Sequence, residues 1–458
     1  MEALNLKGKK VSVLGFGRSG LASSKRLASL GADILVSEER PKENFDQGLI
    51  SEIEGLGVKT EFNGHTDKVL DKTSLIVLSP GVHLDIPILE KAKLKGIKVI
   101  SEIELAFLLL TKPIIAVTGT NGKTTTATLI NEILNASGKR SVAAGNIGFP
   151  LSFVNDRDLD FIVAEISSYQ LEAIEKFKPR ISLILNITED HLERHRTMRE
   201  YSLLKARVFS NQGKGDYVVY NADDRFVSEI VASAKAKLVP FSRKKILDEG
   251  ISVDSGRIII RLKGRTIELM DAEDIFIKGE HNTENALAGA AAAYLAGANE
   301  ASITKTLRKF KGVEHRIEFV TSISGVSFYN DSKGTNPDST VVALKALKNN
   351  IILIAGGRDK MGDLSQLISE AKGRVKALIL IGEAAERFND AFSRSGFSNI
   401  FTETSMEGAV KKAMSFSKPG DQVLFSPACA SFDMFKDYEE RGKVFKDLVL
   451  SLKKVPAR

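Results

Sequence analysis

Short apolar runs alternate along the chain with longer stretches whose apolar residues recur every three to four positions. The short runs indicate buried strands, and the longer stretches indicate helices that pack through one face. Strands that alternate with helices are typical of parallel sheets covered by crossover helices. The predicted strands lie at residues 10–14, 33–37, 75–78, 99–102, 114–118, 161–166, 181–186, 217–220, 326–329, 351–355, 377–381 and 422–425.

This alternation occurs three times in succession, and a chain of 458 residues is too long for one hydrophobic core. We therefore predict an α/β protein of three domains, at residues 1–112, 113–311 and 312–458. Apolar and polar positions alternate over residues 243–277, which predicts a β-rich insertion in the second domain. An Ala-rich helix is predicted over residues 286–297, and the polar residues before it, including Asn282, are interpreted as caps or as ligand contacts.

The second segment begins with a strand, a turn from Gly119 to Gly122, and a helix that is predicted to run from Lys123 to near Gly138. Such a turn directs backbone N–H groups, the helix N-terminus and the Lys123 ammonium at a phosphate chain. The Thr124 hydroxyl is then suited to bind magnesium. The first glycine of the usual pattern would fall at Val117, so this loop is tighter, and a solvated connection without ligand is the alternative.

The first segment carries the turn 15–20, with the sequence Gly-Phe-Gly-Arg-Ser-Gly, between a strand and a helix, and its second strand leads into Glu38. This order is that of a Rossmann-like domain. Two ligands compete for the turn: a dinucleotide whose ribose binds Glu38, or the diphosphate of a UDP-sugar. A tight turn without any ligand is the third possibility.

Two residues of the second segment have charges in or beside apolar stretches, and a histidine lies between them. Glu165 interrupts a buried strand, where a carboxylate is costly unless it is paired or binds metal, so it is predicted to be a magnesium ligand or one member of a buried ion pair. His191 is a ligand candidate or a structural hydrogen-bond partner. Lys205 lies beside the apolar face of a predicted helix over 199–209, where snorkelling is the common outcome.

Composition narrows the partners and the compartment. The net charge of +7 and pI near 9.1 come from dispersed lysines, which suit polyanionic small molecules better than nucleic acid. The single cysteine, Cys429, excludes an internal disulfide and fits a reducing compartment. We find no signal peptide and no membrane-spanning run, and we expect a cytoplasmic monomer that does not insert into membranes.

Several motifs together resemble the ATP-dependent Mur ligases of peptidoglycan precursor synthesis, over nearly the whole chain. The motifs that carry this resemblance lie at residues 118–125, 145–148, 165–170, 186–191, 279–285 and 315–316. Residues 331–336 and 426–433 resemble the D-glutamate-adding branch of that family. Two departures are Gly334, where alanine is commoner, and Glu38, where an aspartate often contacts uracil.

The resemblance implies a fold and a set of ligands. It implies an N-terminal Rossmann-like domain for the UDP-sugar, a central P-loop ATPase-like domain with a mostly parallel sheet for ATP, and a C-terminal Rossmann-like domain for the amino acid. The substrates would be UDP-MurNAc-L-Ala and D-glutamate, with ATP and two Mg²⁺ ions as cofactors. Thr124 and Glu165 would hold magnesium, while His191 and a carbamylated Lys205 would hold the second ion. The interval from His191 to Lys205 is one residue shorter than the family pattern.

The implied site residues fall into four groups. The ATP contacts are Gly119, Thr120, Asn121, Gly122, Lys123, Thr124, Thr125, Asn282, Arg316 and Asp331. The UDP-sugar contacts are Gly15, Phe16, Gly17, Arg18, Ser19, Glu38, Ser79, Gly81 and Asn146. The D-glutamate contacts are Lys333, Thr335, Lys360, Ser431 and Tyr438. The catalytic residues are Lys123, Asn146, Glu165, His191 and Lys205.

The expected reaction joins a carboxylate to an amine. The substrate carboxylate attacks the γ-phosphate of ATP to give an acyl phosphate, which the amine of D-glutamate then attacks. Closure of the third domain is expected to complete the site. The alternatives are a folate polyglutamate ligase of the same superfamily, an NAD-dependent dehydrogenase built on Gly15, Gly17 and Gly20, and a nucleotide-binding regulator without chemistry.

Overall fold

A computed structural model describes residues 5–188, 197–347, 349–359 and 361–452. The chain forms two compact units. The first extends to Phe276 and includes Glu280–Lys309, and the second comprises Ile277–Gly279 and the chain from Phe310 onward. The first unit contains two sheets and the second unit contains one.

The first sheet has five parallel strands in the order β3-β2-β1-β4-β5. Its strands are β1 (Lys10–Leu14), β2 (Asp33–Ser37), β3 (Lys59–Glu61), β4 (Thr73–Leu78) and β5 (Lys98–Ser101). Its helices are α1 (Arg18–Ser29), α2 (Gln47–Gly55), α3 (Pro87–Leu94) and α4 (Glu102–Leu109). Two apolar clusters, one on each face, form its core, as expected for strands without a solvent face. The strand order changes direction at β1, since β2 lies on one side of it and β4 on the other, and ligands bind at such switch points.

The second sheet has nine strands in the order β14-β13-β12-β11-β10-β9-β6-β8-β7. Its strands are β6 (Ile114–Thr118), β7 (Ser141–Gly145), β8 (Phe161–Glu165), β9 (Ile181–Ile184), β10 (Tyr217–Asn221), β11 (Lys237–Ser242), β12 (Gly250–Asp254), β13 (Arg257–Leu262) and β14 (Arg265–Asp271). Its helices are α5 (Lys123–Ala136), α6 (Ser168–Leu171), α7 (Met198–Ala206), α8 (Arg225–Val231), α9 (Glu280–Leu295) and α10 (Glu300–Leu307). Strands β6 to β12 pair in parallel, whereas β13 and β14 add antiparallel pairs, so the predicted β-rich insertion is confirmed.

The sheet of the second unit has six strands in the order β15-β16-β20-β17-β18-β19. Its strands are β15 (Glu318–Ile323), β16 (Val326–Asn330), β17 (Ile351–Gly356), β18 (Val375–Ile381), β19 (Ile400–Thr402) and β20 (Gln422–Phe425). Its helices are α11 (Pro337–Ala346), α12 (Ser365–Ala371), α13 (Ala385–Arg394), α14 (Met406–Phe416) and α15 (Tyr438–Leu452). All neighbours are parallel except β15 and β16, and apolar clusters cover both faces.

The α/β prediction is confirmed, and three local predictions need correction. Glu102 begins α4 and does not end a strand, because Ser101 caps that helix through its side chain. Helix α9 begins at Glu280, six residues earlier than predicted, so Asn282 lies inside the helix and is not its cap. The helix predicted over 199–209 ends as α7 at Ala206 and continues as a 3₁₀ turn. Among the described helices, none is long and apolar enough to cross a membrane.

Candidate functional site

The loop between β6 and α5 has the shape predicted for a phosphate cradle. Gly119 and Gly122 adopt φ angles of 148° and 82°, and helix α5 starts immediately after Gly122. A Cβ atom on Gly122 would lie 2.2 Å from Oδ1 of Asn285, so both its backbone angle and its neighbour require glycine. The loop therefore directs the N-terminus of helix α5 at one position.

Side chains from neighbouring strands hold this loop. Asn186 follows β9, accepts a hydrogen bond from the Asn121 N–H at 2.8 Å and donates one to the Asn121 carbonyl at 3.2 Å. Lys123 Nζ donates to the carbonyls of Gly119 at 2.9 Å and Thr120 at 2.7 Å. The ammonium group is thus positioned over the loop, where it can neutralise phosphate charge.

Glu165 lies beside the loop at the end of β8, since its register partner on β6 is Val117. Its side chain is 2% exposed, and Oε1 accepts a hydrogen bond from Asn146 Nδ2 at 2.7 Å. Oε2 is buried and has no hydrogen-bond partner among the described residues. A buried carboxylate oxygen without a donor is costly, and a divalent cation is one kind of ligand that can satisfy it. Thr124, 4% exposed in the first turn of α5, offers a hydroxyl of the kind that binds magnesium.

Lys205 does not snorkel. Its side chain is 1% exposed, and Nζ donates to the Gly119 carbonyl at 3.0 Å while lying 4.3 Å from the ring centroid of Tyr201. Helix α7 thus delivers this amine to the phosphate loop, and the role of Lys205 as a carbamylated metal ligand stays a prediction. His191 lies outside the described residues, so its predicted role as a ligand stays a prediction.

The turn of the first sheet is also closely packed. Gly15 has a φ of 94°, and a Cβ there would lie 2.9 Å from the Ser79 side chain. Glu38 is buried, and Oε2 accepts the Phe16 N–H at 2.7 Å while Oε1 accepts Arg40 Nε at 2.9 Å. Burial alone would raise the pKa of Glu38, but hydrogen bonds from Arg40 and Phe16 outweigh it and hold that pKa below its ordinary value.

The remaining predicted UDP-sugar residues surround this turn and differ in exposure. Gly17 is the N-cap of α1, and Arg18, which begins that helix, is exposed, whereas Ser19 is partly buried. Gly81 is exposed in the turn that follows β4. Exposed groups of this kind are accessible to a diphosphate, whereas buried Glu38 acts on the turn itself.

The second unit brings together most of the predicted amino-acid contacts. Ser332, Lys333 and Thr335 follow β16, and Ser431 follows the neighbouring strand β20. Lys333 Nζ lies 5.7 Å from the ring centroid of Tyr438, which begins α15. Lys360 lies outside the described residues.

Asp331 is 4% exposed, and its carboxylate accepts hydrogen bonds from Ser426 Oγ at 2.6 Å and from the Ile317 N–H at 3.2 Å. Burial raises its pKa to about 7 despite these bonds and the nearby Arg316 guanidinium. Ile317 has a φ of 47°, a strained angle for a β-branched residue, so the segment that presents Arg316 is held in an unfavourable conformation.

Three carboxylate and imidazole groups of this unit have the spacing of a metal site. Glu314, His315 and Glu318 lie close together, but Lys446 Nζ lies 2.5 Å from Glu314 Oε1 and 2.9 Å from Glu318 Oε1. The ammonium bridges the two carboxylates, so we interpret the cluster as an ion-pair network.

Sequence reasoning missed three residues that the structure places in these sites. Asn285 contacts Gly122, and its position inside a polar motif was the available signal. Arg40 holds Glu38 and lies 4.6 Å from the Phe45 ring centroid, a contact that needs the folded turn. Arg441 joins two loops of the second unit from within α15, and nothing in its sequence context distinguishes it from a surface arginine.

Comparison with known proteins gives three family matches. The Mur ligase MurD-like N-terminal domain matches residues 9–101, the Mur ligase middle domain matches residues 117–293, and the Mur ligase glutamate ligase domain matches residues 315–429. Together they cover most of the chain and follow its three sheets.

Similar proteins include the UDP-N-acetylmuramoylalanine–D-glutamate ligase of Thermoanaerobacter sp. (strain X514), 46% identical over 98% of this chain and 100% of the relative. The ligase of the same name from Clostridioides difficile (strain 630) is 42% identical over 98% of this chain and 100% of the relative. Among solved structures, UDP-N-acetylmuramate-alanine ligase MurC from Thermotoga maritima has a TM-score of 0.58 at 19% identity, over 97% of this chain and 99% of that one. This likeness shows the shared fold.

Proposed function

The chain belongs to the Mur ligase family, and we propose that it is the ATP-dependent ligase that joins D-glutamate to UDP-MurNAc-L-Ala in cytoplasmic peptidoglycan precursor synthesis. Full-length similarity to relatives named for this reaction supports the proposal. The observation that carries it in the structure is the unpartnered, buried Oε2 of Glu165 beside a phosphate loop. A dehydrogenase built on the first sheet would not need this second arrangement, and a nucleotide-binding regulator would bind ATP without turning it over.

The phosphate loop would bind the β- and γ-phosphates of ATP. The N-terminus of helix α5 and the Lys123 ammonium are held in place before any ligand binds, so little reorganisation is needed when charge develops. The substrate carboxylate then attacks the γ-phosphate in line, which gives an acyl phosphate and ADP.

Magnesium fits the residues present, and we propose that Thr124 and Glu165 hold one ion. The buried Oε2 of Glu165 supplies the anionic ligand, and Asn146 orients that carboxylate through Oε1. When bound, magnesium neutralises charge on the transferring phosphoryl group. His191 and a carbamate on Lys205 would hold the second ion, and the 3.0 Å bond from Lys205 Nζ to the Gly119 carbonyl places that amine at the loop.

In the second unit, Lys333, Thr335, Lys360, Ser431 and Tyr438 would hold the two carboxylates of D-glutamate. The loops after parallel strands β16 and β20 support this assignment, because ligands of open α/β sheets bind at carboxyl ends of strands. Arg316 and Asp331 would contact ATP, as would Asn282 of the first unit. The turn 15–20 with Ser79 and Gly81 would bind the UDP group of the first substrate.

The test is ADP release with purified chain. We expect steady release only when ATP, UDP-MurNAc-L-Ala and D-glutamate are all present, and little with L-glutamate or with UDP-MurNAc alone. Release that does not depend on the UDP-sugar and D-glutamate would contradict the assignment. A panel of amino acids separates this ligase from other members of the family, and light scattering checks our expectation that a monomer is active.

Carbamylation of Lys205 has its own test. Isotope-labelled bicarbonate should give a carbamate carbon signal in the NMR spectrum of the wild-type protein, and Lys205→Arg should lack it. An unchanged spectrum in Lys205→Arg would contradict a modified Lys205.

A further inference from the structure

Arg441 is a buried arginine that has no carboxylate partner among the described residues. It lies in the first turn of α15 with a side chain that is 1% exposed. A cation is unfavourable there for two reasons: the helix N-terminus carries partial positive charge, and burial removes hydration. Burial also lowers the pKa of Arg441 to about 10, which leaves the guanidinium charged at neutral pH.

The guanidinium donates hydrogen bonds to two loops. Nε donates to Ser332 Oγ at 3.1 Å and Nη2 donates to the Ser332 carbonyl at 2.9 Å. Nη2 also donates to the Cys429 carbonyl at 3.1 Å, and Nη1 donates to the Ala430 carbonyl at 2.9 Å. The first loop follows β16 and the second follows β20, so one planar group bridges the carboxyl ends of two neighbouring strands.

Two of the three bonded residues adjoin a predicted D-glutamate contact. Ser332 precedes Lys333, Ala430 precedes Ser431, and the Tyr438 carbonyl accepts a hydrogen bond from Ser332 Oγ at 2.8 Å. The second loop also needs support, because Ala428 has a φ of 58°, which is strained for a residue with a Cβ.

We propose that Arg441 is a positioning residue for the amino-acid site: its planar guanidinium holds the loops of Lys333 and Ser431 in one fixed arrangement, without contacting D-glutamate itself. This inference rests on the proposed function. The fork geometry is the essential property, since the ammonium of lysine is a point donor that cannot satisfy three carbonyls and a hydroxyl spread over two loops.

The test compares substitutions that separate charge from geometry. Arg441→Lys keeps the charge and loses the fork, Arg441→Met loses both, and Ser332→Ala removes one bonded group while leaving Arg441 in place. We expect the KM for D-glutamate to rise about tenfold or more in both Arg441 variants and a few-fold in Ser332→Ala. The KM values for ATP and the UDP-sugar should stay near those of the wild type.

Val449→Ala is the matched control. Val449 is fully buried on the same helix and belongs to the apolar core, so its truncation should lower the Tm without changing the KM for D-glutamate. Wild-type KM in Arg441→Lys, or an equal rise in the KM for D-glutamate in Val449→Ala, would overturn the proposal. If Arg441→Met does not fold, the KM values for D-glutamate of Arg441→Lys and Ser332→Ala test the proposal. A wild-type chain that does not use D-glutamate would instead overturn the proposed function.

Discussion

At the scale of single residues, Glu165 combines a buried position with an unused acceptor. Its Oε1 has a donor in Asn146, whereas Oε2 has none among the described residues. An unsatisfied buried acceptor costs about 1–3 kcal/mol, and at Glu165 this acceptor lies beside a phosphate loop, where a cation can bind it. The arrangement therefore favours a bound cation over structural use.

Glu165→Gln should separate activity from stability. We expect kcat to fall at least about 100-fold, which is about 2.7 kcal/mol of transition-state stabilisation, and the magnesium concentration needed for half activity to rise. The Tm should not fall, because the amide removes a buried charge. Magnesium titrations of ADP release and thermal unfolding measure both, and Glu132→Gln, an exposed residue of α5, is the control. An unchanged magnesium dependence would contradict the role.

Asp331 should make the stability of the second unit depend on pH near neutrality. Its folded pKa of about 7 lies above its ordinary value of 3.8, so the folded state keeps a proton that the unfolded state has lost between these values. The stability that the protonated group contributes is present below the ordinary pKa and is lost as the pH rises through about 7. We expect Asp331→Asn to reduce the fall in Tm between pH 5 and pH 8, measured by circular dichroism.

The exposed Asp338 is the control for this titration, since Asp338→Asn should leave the pH profile of the wild type unchanged. Equal profiles for wild type and Asp331→Asn would show that Asp331 does not titrate in this range.

Gly122→Ala should lower the stability of the protein by more than backbone strain alone would. Gly122 and Gly138 have similar φ angles of 82° and 78°, but only at Gly122 would a Cβ meet a neighbour, Asn285 Oδ1 at 2.2 Å. Gly138→Ala should lower stability by about 1–2 kcal/mol through strain alone. Gly122→Ala should lower it further and raise the KM for ATP, as measured by thermal unfolding and initial rates. Equal Tm values would contradict the steric argument.

At the scale of elements, helix α4 carries two buried carboxylates in opposite environments. Glu104 accepts three backbone N–H groups, from Glu175, Lys176 and Phe177, at 2.8–2.9 Å. Glu102 accepts one, from Ser152 at 2.6 Å, and its Oε2 has no partner among the described residues. These bonds join the first sheet to the second within the first unit, so α4 is the element that connects them.

The two residues should respond with opposite sign to the same substitution. Glu104→Gln removes the charge from three charge-assisted bonds and should destabilise by about 1.5–3 kcal/mol. Burial raises the pKa of Glu102, so its favourable contribution is present below its ordinary pKa and is lost as pH rises through the folded value. The Tm of Glu102→Gln should therefore rise relative to the Tm of the wild type as the pH increases from 5 to 8. A fall in stability of Glu102→Gln equal to that of Glu104→Gln would contradict the opposite roles of the two carboxylates.

Strands and their ends were predictable because they depend on local pattern. The loop 119–122 and the strand position of Glu165 followed from apolar runs broken by polar residues. Helix starts were less predictable. The run before Glu102 is typical of a strand, and only the structure shows that the Ser101 side chain caps a helix that begins at Glu102. The contacts of Arg441 span about 110 residues, and no periodicity reports a pairing at that distance.

At the scale of the whole molecule, the charge is positive while the proposed substrates are polyanions. Lys and Arg number 65 against 58 Asp and Glu, which gives a net charge of +7. Such a field raises the rate at which anions reach their sites, independently of the groups that then bind them. The effect is long-ranged and must therefore be sensitive to salt.

The last prediction follows from screening. Raising the salt concentration from about 0.01 M to about 1 M shortens the Debye length from roughly 30 Å to roughly 3 Å, which removes steering but leaves close contacts largely intact. We expect kcat/KM for ATP and for the UDP-sugar to fall several-fold while kcat changes little. Substituting Lys93 and Lys95, two exposed residues of the first sheet's helical layer, by glutamate lowers the net charge from +7 to +3 and should flatten the salt dependence. Initial rates across a potassium chloride series measure both slopes. A salt dependence that is unchanged in the double variant would locate the effect in the binding residues and not in the field of the molecule.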